Sequence, residues 1–188
     1  MLKRAVQAGK HLRETHNNDY VISVNMCVQT LMQENFTNNV LDILDTFNFP
    51  PHLLELEITE SVFIHDFERI KEKMTLLRRR GIKFSEDDFG DGYSSLTYLT
   101  RLDLDTLKIS KNFLESITNN IESRYLVQNI IDLSKKLGLK TIVEGIEDED
   151  LLKIFRDYGC DYVQGYLFYK PMPVIEIDDM LKKDGENS

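Results

Sequence analysis

Short β-branched or apolar runs alternate with longer segments whose apolar residues recur every three to four positions, and this alternation organises the chain. The runs predict strands over residues 20–24, 53–59, 82–85, 106–109, 140–143 and 162–168. Between them, Ile70, Met74 and Leu77 give residues 67–80 a helical period, and Val127, Ile130, Ile131 and Leu133 do the same for 123–137. Gly81 and Gly138 stand just past these two helices as C-terminal stops. Strands separated by helices at this spacing read as βα units around a parallel sheet, either an open doubly wound sheet or a (β/α)8 barrel. Leu2, Ala5, Val6 and Leu12 form a helix face that begins at the first residue without a Ser, Thr, Asp or Asn cap, so the chain is expected to start in mid-element. A single domain over residues 1–183 with a disordered tail at 184–188 is expected.

The 188 residues carry a formal charge of −9, which argues against polymeric nucleic acid as a partner because phosphate backbones are bound through clustered Lys and Arg. A small phosphate ligand would need divalent cations between it and the acidic protein. No apolar run approaches the ~18 residues of a membrane span and no signal-peptide core is present, which leads to the expectation of a cytoplasmic protein without membrane contact. Cys27 and Cys160 read as reduced core thiols, and His11, His16, His52 and His65 form no paired-ligand motif, so zinc ranks low.

Chemistry gathers at the strand ends, which in both candidate folds converge on one crevice. Asn25 ends the first strand, Glu57 and Glu60 accompany the second, and Asp87 and Asp88 stand where the third breaks into a glycine-punctuated turn. Lys108 lies inside the fourth between Leu107 and Ile109, Glu144 ends the fifth with Glu147 beyond, and Gln164 belongs to the sixth. Oxygen ligands without His or Cys select Mg2+ or Mn2+. Two ions ~3.5–4 Å apart, the spacing of paired metals that clamp a phosphoryl transfer, make phosphodiester hydrolysis the leading hypothesis. The ordinary alternatives are turn chemistry for the two aspartates and a snorkelling edge position for Lys108. Asp88-Phe89-Gly90 matches a kinase metal triplet, but no glycine-rich nucleotide loop or His-Arg-Asp loop accompanies it. Residues 90–95 approximate a dinucleotide turn with Ser95 in place of the third glycine, while Ser94 and Ser95 read as helix caps and not nucleophiles.

Several motifs agree in order and spacing with one family. Leu56-Glu57-Ile58-Thr59-Glu60-Ser61, Asp87-Asp88-Phe89-Gly90 with Gly92-Tyr93-Ser94-Ser95-Leu96, Leu107-Lys108-Ile109, Val143-Glu144-Gly145-Ile146-Glu147, and Gly159-Cys160-Asp161 with Gln164-Gly165-Tyr166 span nearly the whole chain. On these residues the chain resembles the EAL-domain phosphodiesterases, bacterial hydrolases of the second messenger cyclic di-GMP. The resemblance implies a TIM-type (β/α)8 barrel with one antiparallel strand, incomplete here with about six of eight strands. It implies a first metal on Asn25, Glu57 and Asp87, a second on Asp87, Asp88 and Glu144, and linear pGpG as product. Lys108 would position or activate the attacking water, Gln164 would hydrogen-bond behind the ligands, Glu60 would anchor the loop after Asp88, and Glu147 with Asp88 would meet the nucleotide.

The Glu-Ala-Leu tripeptide that names the family does not occur in the chain. By the same resemblance, the chain is expected to lack the family's first two strands and first helix. Glu86 stands where an aliphatic residue is usual, Asp91 where threonine is, and Ser110 where aspartate is. Impaired hydrolysis, a catalytically inactive cyclic di-GMP-binding domain and a fragment of a larger signalling protein are the readings that follow. Removing two strands from a closed barrel exposes two strand edges, so a homodimer or higher self-association is expected.

Overall fold

In the computed structural model, residues 1–59, 66–90, 96–112, 114, 117 and 120–186 are described. Strands β1 (Ile22–Met26), β2 (Leu54–Thr59), β3 (Lys83–Phe89), β4 (Thr106–Ile109), β5 (Lys140–Val143) and β6 (Tyr162–Val163) form one six-stranded sheet. Each strand pairs in parallel with its neighbour in sequence, in the order β1-β2-β3-β4-β5-β6. A doubly wound sheet reverses its strand order at a switch point, whereas a barrel does not. The uninterrupted order therefore resolves the two architectures left open by periodicity in favour of the barrel, here incomplete. Among the described residues, β1 and β6 each have a single strand neighbour.

Helices α1 (Leu2–His16), α2 (Val28–Leu31), α3 (Phe36–Phe47), α4 (Phe67–Arg78), α5 (Leu96–Arg101), α6 (Ile121–Lys136), α7 (Glu149–Asp157) and α8 (Val174–Glu186) fill the connections. Their apolar stripes form the core with one face of the strands. Leu56, Ile58, Phe84, Leu107, Ile109 and Val143 are buried from the sheet, and Val40, Leu44, Ile70, Leu77, Val127 and Ile131 from the helices. Side chains alternate across a strand, so the opposite face of each strand lines the barrel interior. That face is polar: Ser23 donates to Glu55 at 3.1 Å and Thr106 donates to its other oxygen at 3.0 Å. Ser23, Glu55 and Thr106 line, together with Lys83, Ile142 and Tyr162, a cleft of about 530 Å3 on this interior face. On the helix side, α8 docks on α1 through His16, whose ring nitrogen lies 2.7 Å from Asp178.

Several expected boundaries move. Strand β1 sits two residues further along than expected, and β6 stops at Val163, after which the Phe168 N–H closes a turn on the Gly165 carbonyl at 3.1 Å. Strand β3 continues through Asp87 and Asp88 to Phe89, so the aspartates lie inside the ladder and not in a turn after it. Helix α8 runs to Glu186, beyond the expected boundary at 183. Cys27 is exposed and Cys160 only part-buried, so neither is a core thiol. No helix among the described residues is long and apolar enough to cross a membrane.

Phe84 is fully buried between the sheet and its helices. Phe84→Ala should lower unfolding free energy by about 3–5 kcal/mol through lost burial and the cavity left behind, measured by urea denaturation.

Candidate metal centre

The ladder between β3 and β4 contains the decisive irregularity. Glu86 is in register with Leu107 and Phe89 with Ile109, so Asp87 and Asp88 together oppose the single residue Lys108. Two residues against one define a β-bulge. Asp88 adopts a left-handed backbone with φ 56°, a conformation that aspartate tolerates better than most non-glycine residues. A regular strand would send Asp87 and Asp88 to opposite faces; the bulge instead brings carboxylate oxygens of Asp87, Asp88 and Glu144 within 4.8 Å of one another. Glu86, buried on the helix side beside Ile58 and Leu107, is kept out of this group by the same alternation.

Lys108 is the hub. Its ammonium lies 2.7 Å from Asp87, 2.8 Å from Glu144 and 3.0 Å from Glu57, and only 6% of its side chain is exposed. This excludes the snorkelling position. Burial alone would lower the Lys108 pKa, but hydrogen bonds to Asp87 and Glu144 and the charge of Glu57 outweigh it and hold the pKa above the ordinary lysine range. Burial pushes the Glu57 carboxyl up, with the charge of Lys108 opposing. One ammonium among three carboxylates leaves the cluster net negative, and Asp88 adds to the excess. An oxygen-only donor set with surplus negative charge fits a hard divalent cation.

The other candidates flank this centre. Asn25 on β1 is in register with Glu57 on β2 and is exposed. Gln164 directly follows β6; its N–H donates to Val143 at 2.8 Å and its carbonyl accepts from Ile146 at 3.1 Å, which ties it to the segment carrying Glu144. Directly after it, a Cβ on Gly165 would stand 2.0 Å from the Ile146 carbonyl oxygen, so only glycine permits this approach. Glu147 is half-exposed and accepts from Lys111 Nζ at 2.6 Å. Glu60, Ser94 and Ser95 lie outside the described residues. Lys111 was not singled out by sequence; its place three residues after Lys108, at the same strand end, is the signal that could have found it.

The EAL domain family model matches residues 1–171. The chain belongs to the EAL domain family. It is 34% identical over 182 residues to the cyclic di-GMP phosphodiesterase NbdA of Pseudomonas aeruginosa, covering 97% of this chain and 23% of that protein. Among solved structures, the EAL domain of Mycobacterium smegmatis DcpA matches with a TM-score of 0.91 at 32% identity, covering 97% of this chain and 82% of that one. The PaMucR phosphodiesterase in complex with cyclic di-GMP matches with a TM-score of 0.88 at 31% identity, covering 94% and 71%. This EAL domain thus spans about a quarter of the length of NbdA and most of the DcpA domain.

Because Asp87 contacts Lys108 directly and belongs to the cluster, Asp87→Asn should abolish Mn2+ binding in isothermal calorimetry while circular dichroism stays native. Unchanged Mn2+ affinity would remove Asp87 from the site.

Proposed function

We propose that this EAL domain acts on cyclic di-GMP, holding Mg2+ or Mn2+ on Asn25, Glu57, Asp87, Asp88 and Glu144 and hydrolysing the cyclic dinucleotide to linear pGpG. The observation that carries this reading is the bulge that sets Asp87 and Asp88 together against Lys108. Bound there, divalent cations would offset the substrate's phosphate charge and lower the pKa of a coordinated water. Lys108 remains protonated at neutral pH and therefore acts as a donor, orienting the attacking water and the carboxylates without taking a proton. Of the three carboxylates that touch Lys108, Glu144 is the most open and would be the acceptor for a proton of the attacking water. Attack of the water oxygen on phosphorus would break one P–O ester bond of the ring, the proton given up by the water passing to the leaving ribose oxygen, to leave a linear product. Gln164 holds the Glu144 segment in place, and Glu147 with Asp88 faces the nucleotide.

No residue of this chain supplies the Glu-Ala-Leu glutamate; without that ligand from elsewhere, turnover would be lowered. Removing one electrostatic contact to a transition state typically costs about 10²–10³ in rate. The same absence favours a second reading, binding of cyclic di-GMP without turnover, as a receptor or as part of a larger signalling protein. Incubation with cyclic di-GMP and Mn2+, followed by chromatography against an Asp87→Asn control, separates them. Linear pGpG from the wild type alone supports the hydrolase. Calorimetric binding without product supports the receptor, and neither binding nor product overturns both.

Among the described residues β1 and β6 each have a single strand neighbour, and such edges support self-association. Light scattering should return a dimer or larger species; a monodisperse monomer that unfolds cooperatively in calorimetry would overturn this assembly.

A further inference from the structure

Glu144 is fixed from both sides, and one of the groups fixing it has no part in the chemistry above. Its N–H donates to the Ile109 carbonyl at 3.1 Å, which extends the β4–β5 ladder by one residue. The next residue, Gly145, turns the chain with φ 75°, and the stem of Lys111 lies directly against it. A Cβ added at Gly145 would stand 2.7 Å from Lys111 Cγ and 2.9 Å from both Cβ and Cδ. Beyond that contact, Lys111 Nζ donates to Glu147 at 2.6 Å, on the far side of the turn. Lys111 therefore spans the turn, its methylenes against residue 145 and its ammonium on residue 147. The opposite flank of the turn is held by β6 through the two Gln164 backbone bonds and by Leu167, whose N–H donates to the Ile146 carbonyl at 3.1 Å.

We propose that Lys111 is a positioning residue for Glu144: by bridging the loop after β4 to the loop after β5, it keeps the Glu144 carboxylate aimed at Lys108 and at the cation-binding cluster. The inference rests on the metal-dependent reading of that cluster. Lys111 touches no ligand in this role; it acts through the backbone at Gly145.

The sign of a metal-affinity change distinguishes this role from a bystander surface ion pair. As a mere nearby cation, Lys111 repels Mn2+, so Lys111→Met would remove repulsion, release the Glu147 carboxylate and tighten Mn2+ binding or leave it unchanged. As a positioning residue, its loss frees the Glu144 turn and weakens binding. Groups that orient metal ligands typically contribute about 10–100-fold in affinity. Calorimetric titration of the full chain with Mn2+ alone should show Lys111→Met binding about 10-fold more weakly, with Lys111→Arg near the wild type. The charge-swapped pair Lys111→Glu with Glu147→Lys should recover part of the loss. Amide hydrogen exchange at residues 144–147 should accelerate in Lys111→Met and not in Lys111→Arg. Equal or tighter Mn2+ binding by Lys111→Met, with wild-type exchange at 144–147, would overturn the proposal. Failure of the wild type itself to bind Mn2+ would instead overturn the metal reading beneath it.

Discussion

Everything in the candidate site turns on a buried ammonium shared by three carboxylates. Lys108 lies within 3.0 Å of Glu57, Asp87 and Glu144, which arrive from three different strands. In a low-dielectric interior none of these charges is tolerable alone. Removing one partner of such a pair typically costs about 3–5 kcal/mol because the remaining charge stays buried. The arrangement therefore locks β2, β3, β4 and the end of β5 into one register at the carboxyl edge of the sheet. It also leaves surplus negative charge, which is the property a cation site needs. One interaction thus serves packing and chemistry together, and the bulge at Asp88 adds the further carboxylate that packing alone does not require.

Much of this was legible in the sequence. Six strand positions were recognisable because parallel strands buried against helices read as dense apolar runs, and the helical stripes at Ile70, Met74 and Leu77 and at Val127, Ile130 and Ile131 are the stripes that the core uses. Periodicity alone left barrel and open sheet unseparated, because strand order is a property of long-range pairing; the motifs shared with EAL domains pointed to the incomplete barrel that the strand order bears out. Strand β6 was overestimated for a related reason. Residues 164–168 are apolar or aromatic at most positions, yet after the Gln164 N–H bonds Val143 on β5 the ladder ends: Leu167 donates to Ile146 in the turn after β5 and Phe168 to Gly165.

The site divides in the same way. Residue types at strand ends identified Glu57, Asp87, Asp88, Lys108 and Glu144, and the structure brings all of them together. The bulge itself was hidden behind strict alternation, although the sequence carries a trace of it. Phe84 and Phe89 are both buried, yet they lie an odd number of residues apart, which a regular strand cannot reconcile with one shared face. An extra residue between them restores the pattern, and the two carboxylates inside that interval are its consequence. The place of Lys111 three residues after Lys108 marks it as near the site, but its role depends on the positive-φ turn at Gly145, which that spacing does not announce.

Position in the sheet also grades the site. Glu57, Asp87 and Lys108 stand on strands with a neighbour on each side, and their side chains are almost fully enclosed. Asn25 and Gln164 belong to the ends of β1 and β6, which have one neighbour each among the described residues, and both are exposed. Backbone groups with one partner strand open more readily than those with two, so local stability should fall from the centre of the sheet toward its edges. Glu144, just past β5, also depends on Lys111 and on the Gln164 backbone bonds at the β6 edge, whereas Asp87 and Asp88 have their supports inside the sheet. A metal position that draws on Asn25 lacks that independence, since its edge must be held by something beyond β2. Of the metal positions proposed above, the one built around the bulge is therefore the better supported by the sheet.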